Sequence, residues 1–221
     1  MTGKHPGHAT IRNNGEVKPE GQRPLLADEP TIAELLSNRG YVTGAFGKWG
    51  LGFPGSVGEP LKKGFTRFYG YNCQRHAHSF YPDYLWDNDK KISLANDPAI
   101  PGHAPMPKKA ANDSATYNQW KGQDYSAERI INQVDVFIRA NKDQPFFCYY
   151  PTLIPHLALH VPDKELQPYL DLGWDDPPHN AGYTPHYTPR AAYAAMISLL
   201  DKYVGRIMGA LDELNRVDHE G

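Results

Sequence analysis

Twice in this chain an amphipathic helix is followed at once by a short apolar strand, and that order constrains the fold more than any other feature. In the first unit, Thr31-Ile32-Ala33-Glu34 has the capping-box form, Thr at the N-cap and Glu three residues on. The helix it starts is predicted to turn Ile32, Leu35 and Leu36 inward and to stop at Gly40, with strand 41–46 directly after. In the second unit, a helix beginning after Ser126 carries Ile130, Ile131, Val134, Phe137 and Ile138 on one face and runs out near Asn141. Pro145 then leads into strand 146–150. Repeated helix-to-buried-strand order is the pattern of an α/β layered fold, with a mainly parallel central sheet flanked by helices. A third helix, capped by Thr188 with Pro189 in its first turn, presents Tyr193, Met196, Ile197, Leu200, Val204, Ile207, Met208, Leu211 and Leu214 as one apolar stripe. That stripe is expected to be core.

The 221 residues, 40% hydrophobic and 22% charged, suffice for a single core. A net charge of −2 gives no footprint for nucleic acid or an anionic membrane surface. No apolar run of about 18 residues exists to span a membrane. Compartment and oligomeric state stay open. Cys73 and Cys148 supply neither a disulfide framework nor zinc spacing. Twenty prolines and twenty glycines, with 12% aromatics, point to long shaped loops rather than disorder. The long insertions 53–123 and 157–187 are expected to shape a site. In open α/β sheets ligands sit beyond the carboxyl ends of the strands. Lys48 and His156 both follow predicted strands at that edge.

Strand 41–46 runs into Gly47-Lys48-Trp49-Gly50-Leu51-Gly52, a glycine-rich turn that carries one lysine. Such a turn lets the backbone approach a ligand, and the lysine is a compact cation held above the strand end. An exposed loop lysine reads the same way. The segment closely resembles the Gly-Lys-Trp-His-Leu-Gly motif of the sulfatases, sulfate-ester hydrolases of the alkaline phosphatase superfamily. Three further stretches resemble that family in the same order. Thr2-Gly3-Lys4-His5 is similar to the threonine-glycine-basic tail after the sulfatase signature. Phe146-Phe147-Cys148-Tyr149-Tyr150, continuing to Pro155-His156, is similar to a strand that delivers a second pocket residue. Tyr193 to Leu214 resembles the helix before the strand bearing the last metal ligands.

The resemblance implies an arylsulfatase-like member with an alkaline-phosphatase-like fold. It also implies that 1–221 is a partial catalytic domain, an internal fragment incomplete at both ends. Sulfatases act through a formylglycine made from the Cys of Cys-x-Pro-Ser-Arg, and neither Cys73 nor Cys148 is followed by x-Pro-Ser-Arg. By the resemblance that signature lies upstream of Met1, as do the paired aspartates that bind calcium, and the Ser-Asp-Asn-Gly ligands lie after Gly221. Calcium is thus expected in the full-length parent, with no metal ligand in this chain. The isolated chain is expected to be inactive.

Sulfate-ester cleavage needs a nucleophile at sulfur, cations on the equatorial oxygens and an acid for the leaving alkoxide. The resemblance gives Lys48 the role of contacting the sulfate and the leaving oxygen. It makes His156 a sulfate contact or general acid, and Lys4 the support of the nucleophile's loop. Gly50 stands where many sulfatases carry a second histidine. His76 and His78 are the leading substitutes for that histidine. If their segment is extended, the two side chains share one face. They suit substrate recognition, and Tyr69, Tyr71, Tyr81, Tyr84 and Trp86 around them read either as platforms for a sugar or as core. His160, His179 and His186 are expected at the surface, and Lys108-Lys109 as a solvated turn. The parent is expected to hydrolyse a sulfated small molecule or carbohydrate. Two alternatives stay open: a phosphodiesterase or phosphonate hydrolase of the same superfamily, and a non-catalytic remnant that binds sulfated glycans.

Overall fold

Strand β1 (Val42–Lys48) is buried at its five inner positions because it lies inside the sheet. It pairs in parallel with β2 (Arg67–Tyr71) on one side and β5 (Phe146–Tyr149) on the other. An antiparallel hairpin, β3 (Tyr84–Asp87) and β4 (Lys90–Ser93), extends the sheet beyond β2, giving the order β4-β3-β2-β1-β5. The computed structural model describes residues 1–108 and 111–214. The expected parallel sheet is therefore a parallel trio widened into a mixed sheet. Its hairpin turns through Asn88 and Asp89, with Asn88 at φ 54°, the left-handed conformation that Asn tolerates best after Gly. Three of the five strands fall inside 53–123, which the sequence reading treats as insertion. Each is only four or five residues long.

Period-two alternation sends the strands' side chains into two separate cores. Phe46, Tyr71 and Leu85 join the core that takes residues from α2 (Ser126–Ala140), α3 (Asp163–Leu170) and α4 (Pro189–Glu213). Ala45, Phe68 and Trp86 join Trp49, Phe65 and Ala33 of α1 (Ile32–Ser37) on the other face. All five predicted core residues of α2 are buried, none more than 5% exposed. At about 1.5–3 kcal/mol for each buried apolar side chain, this face accounts for most of the helix's hold on the sheet.

Two expectations about helix faces are corrected. The α1 capping box forms as predicted: Glu34 N–H donates to Thr31 Oγ1 at 3.2 Å, and Thr31 N–H to Glu34 Oε2 at 2.7 Å. Yet Ile32 and Leu35 are exposed, and Ala33 is the buried residue. The reason is the backbone at Gly64, packed so closely on Ala33 and Glu34 that no side chain fits between. Along α4, Met196 is buried with Ala192, Ala195, Leu199 and Tyr203, whereas Tyr193, Ile197, Val204 and Met208 are more than 40% exposed. Small alanines bring the helix close to its neighbours, and the apolar stripe is wider than the face they cover. Thr188 holds the N-cap position without a side-chain bond. The Asp176 carboxylate caps instead, accepting from Arg190 N–H at 2.9 Å and Ala191 N–H at 2.8 Å.

Candidate functional site

The parallel trio ends on one edge of the sheet, where the end of β1 and the segments after β2 and β5 each deliver one side chain. Lys48 is the last residue of β1 itself, not of the turn beyond it. Its N–H donates to the Pro151 carbonyl at 2.9 Å, which ties β1 to the segment after β5. Gly47, at φ +136°, makes that contact possible, since any Cβ would overlap the Pro151 oxygen. The chain after β5 continues to His156. The chain after β2 turns through a short 3₁₀ segment, His76–His78.

His78 and His156 stack face to face, ring centres 4.9 Å apart and planes 9° off parallel. Lys48 is half-buried, and loss of hydration pushes its pKa down. Among the described residues no carboxylate pairs with it. His78 is held neutral, its pKa pushed down to about 4 by burial first and then by His156, His103, Lys48 and Arg75. The edge thus gathers Lys48 and a set of imidazoles, and among the described residues no carboxylate is paired with them.

Two residues that sequence reasoning missed complete the cluster. His103 Nε2 lies 2.7 Å from His78 Nδ1. Tyr183 stacks on His103 at 4.6 Å and meets His78 and His156 edge-on at 5.1 and 5.5 Å. They come from the two long segments 53–123 and 157–187, which meet at this point. Thr184 N–H donates to the Gly102 carbonyl at 3.0 Å, and Asn180 Nδ2 to the Ala104 carbonyl at 3.0 Å. No local signal in Gly102-His103-Ala104 distinguishes this histidine from a loop residue; only the tertiary pairing of the two segments does.

His76 does not join them. In a 3₁₀ turn rather than an extended strand, residues two apart do not share a face. His76 turns toward Asp83 (3.7 Å) and Glu20 (4.0 Å), packed on Tyr71 and Tyr84. Burial lowers its pKa despite those carboxylates. Lys4 likewise is spent on structure. It pairs at 2.9 Å with the buried Glu29, which also accepts from Thr10 at 2.7 Å and is pulled down to about 2 by those partners. Tyr69, Tyr71, Tyr81 and Trp86 are buried core, so they are not free as sugar platforms. His160 is buried too, contrary to its expected exposure, with its Nε2 unpartnered. Lys109 lies outside the described residues. Gly50 has φ +69°, and a Cβ there would come within 2.6 Å of Gln74 Nε2. A histidine at that position would therefore displace Gln74.

Comparison with known proteins gives the family. The family model described as Sulfatase matches residues 1–218. The chain belongs to the sulfatase family. This sulfatase is 25% identical to arylsulfatase J of Mus musculus over 96% of its own length and 30% of that protein. It is 29% identical to arylsulfatase A of Homo sapiens over 92% of the chain and 36% of that protein. It spans less than half the length of these relatives. Among solved structures, Ps i-CgsB superposes with a TM-score of 0.63 at 22% identity, over 89% of this chain and 39% of that one. A protein from glycosaminoglycan metabolism of Bacteroides thetaiotaomicron also gives 0.63, at 16% identity, over 98% and 45%. Both show the fold.

A cavity of about 360 Å³, lined by Tyr81, Tyr117, Trp120, His160 and His186 among others, shares no residue with the Lys48 cluster. A more open groove of about 620 Å³ flanks His156 through Pro155 and Leu157 and reaches His179, Arg190 and Tyr193. As for calcium, no three His, Cys, Asp or Glu side chains among the described residues converge to hold a metal ion. The described residues do not fit that ion.

Proposed function

We propose that this chain supplies the Lys48, His78 and His156 part of a sulfuric ester hydrolase acting on a sulfated small molecule or carbohydrate. The observation that carries this reading is Lys48, half-buried at the strand edge with no carboxylate partner among the described residues and the stacked His78 and His156 rings nearby. A sulfate ester brings the missing negative charge. Lys48 contacts its oxygens and offsets the charge that grows on the leaving oxygen, an electrostatic role suited to a site where water is scarce. His156 Nδ1–H donates to the Leu157 carbonyl, which leaves Nε2 to meet the sulfate group or, once protonated, to give its proton to the leaving alkoxide. His78 takes the place of the histidine missing at Gly50. The groove beside Pro155 and Leu157 receives the rest of the substrate.

The carbohydrate class is the finer part of the reading. A structural neighbour with a TM-score of 0.62 was crystallised in complex with k-i-k-neocarrahexaose. We propose that a ring of that chemical class lies in this groove. The 221 residues carry no Cys-x-Pro-Ser-Arg, so by themselves they bind without turnover. Calorimetric titration of the chain with glucosamine 6-sulfate and with glucosamine tests this. Binding only of the sulfated sugar, lost in Lys48→Ala, is expected. Equal binding of both sugars, or undiminished binding by Lys48→Ala, would overturn it.

A further inference from the structure

We propose that His103 is a positioning residue that fixes His78 as its Nδ1–H tautomer, so that His78 presents an unprotonated Nε2 to the site. The proposal rests on the sulfate-ester reading of this edge and assigns a role to a residue outside it. Proton counting leads there. His103 Nδ1 lies 2.8 Å from the Gly182 carbonyl oxygen, which can only accept, so Nδ1 of His103 bears the hydrogen. In the one-proton form of His103, with that hydrogen on Nδ1, Nε2 is an acceptor. His78 Nδ1, 2.7 Å away, must then donate to it. His78 is neutral for the reasons given above, and its only N–H is now committed. Its Nε2 keeps a lone pair.

The result is a directed chain of hydrogen bonds, from His78 Nδ1–H to His103 Nε2 and from His103 Nδ1–H to the Gly182 oxygen. The lone pair of His78 Nε2 held in this way can accept a hydrogen bond from a hydroxyl of a bound sulfated sugar, while its Nδ1–H stays bonded to His103. The surroundings hold His103 to this task. Gly102 lies so close to His78 that a Cβ would come within 2.6 Å of its backbone and Cβ, which sets the separation of the two rings. Gly182 is fixed by its own N–H, which donates to Asn180 Oδ1 at 2.9 Å, and Asn180 holds the Ala104 carbonyl in turn. Tyr183 stacks on the His103 ring and keeps its plane. The frame brings no carboxylate to His78, so it orients the ring without competing for the sulfate's partners.

Long-range ¹H–¹⁵N correlation spectra of the histidine-labelled chain at neutral pH read ring tautomers directly. The expected result in the wild-type chain is Nδ1–H at both His103 and His78. In His103→Ala the His78 proton moves to Nε2. In His103→Gln, whose amide oxygen accepts the same hydrogen, it stays on Nδ1. An Nε2–H form of His78 in the wild-type chain, or Nδ1–H persisting in His103→Ala, would overturn the proposal. The wild-type spectrum alone is decisive if a variant fails to fold. Neither spectrum depends on turnover, so a failed sulfate-ester reading would leave the tautomers as they are.

Discussion

Replacing Gly47 by alanine tests the link between the glycine-rich turn and the position of Lys48. Gly47 sits at φ +136°, outside the regions that an L-residue with a Cβ adopts without strain. Conformations of that kind cost about 1–3 kcal/mol for a non-glycine residue. The new methyl would also overlap the Pro151 oxygen, and that oxygen accepts the Lys48 N–H at 2.9 Å. Relieving the overlap breaks the hydrogen bond, for about 1 kcal/mol more. The sum is a destabilisation of about 2–4 kcal/mol. Gly205 is the matched control: it lies exposed within α4, with nothing within 4 Å of its would-be Cβ. Gly205→Ala gains about 0.5–1 kcal/mol from helix propensity. Urea melts of the two variants against wild type should thus move in opposite directions. A Gly47→Ala variant as stable as wild type would refute the claim that close backbone contact at Pro151 places the lysine.

Acid should destabilise the fold well before the carboxylates titrate. His78, His160 and His186 are pushed below their usual 6.5, to about 4, about 3 and about 4, chiefly by burial. Below pH 6.5 the unfolded chain binds protons that the folded chain refuses, so stability falls as pH drops from 6.5 toward 3. Glu29, lowered to about 2, adds a further loss between about pH 5 and 2; urea midpoints that stay flat from pH 7 to 4 would contradict the histidine part. Lys63→Met should cost at least about 3 kcal/mol, since the fully buried ammonium donates to the carbonyls of Leu26, Ala27 and Glu29. Thermal melts check this, and an unchanged midpoint would count against it. Asp176→Ala should cost about 1–2 kcal/mol by uncapping α4, whereas Thr188→Ala should change little.

Much of the fold was legible wherever one element buries one face. The α2 face and the strand after it follow from 3.6-residue periodicity and from the breaks at Asn141 and Pro145. The helix start at Thr31 follows from the capping box. Periodicity failed where two faces are apolar and only one is covered, as along α4 at Tyr193 and Val204. It also failed for β2, β3 and β4, whose four or five residues give too few alternations to count. The placement of Lys48 and His156 at one sheet edge was legible because one ends a strand and the other follows one on the same side. His76 and His78 could not be separated, since that needs the 3₁₀ turn between them. His103 and Tyr183 were invisible because they reach the edge only when two distant loops pair. Lys4 carries its charge to Glu29, and a sequence shows no sign of which carboxylate folds beside a lysine.

The claim that Lys48 acts on a sulfate ester is tested most directly with the complete protein encoded by the reading frame that contains this chain. Its steady-state hydrolysis of an aryl sulfate and of an aryl phosphodiester, with and without Lys48→Ala, separates the family readings. The account predicts that the sulfate ester is the faster substrate and that Lys48→Ala lowers kcat by about 10²–10³, as loss of one transition-state contact does. Faster cleavage of the phosphodiester, or sulfate-ester turnover unchanged by Lys48→Ala, would contradict it.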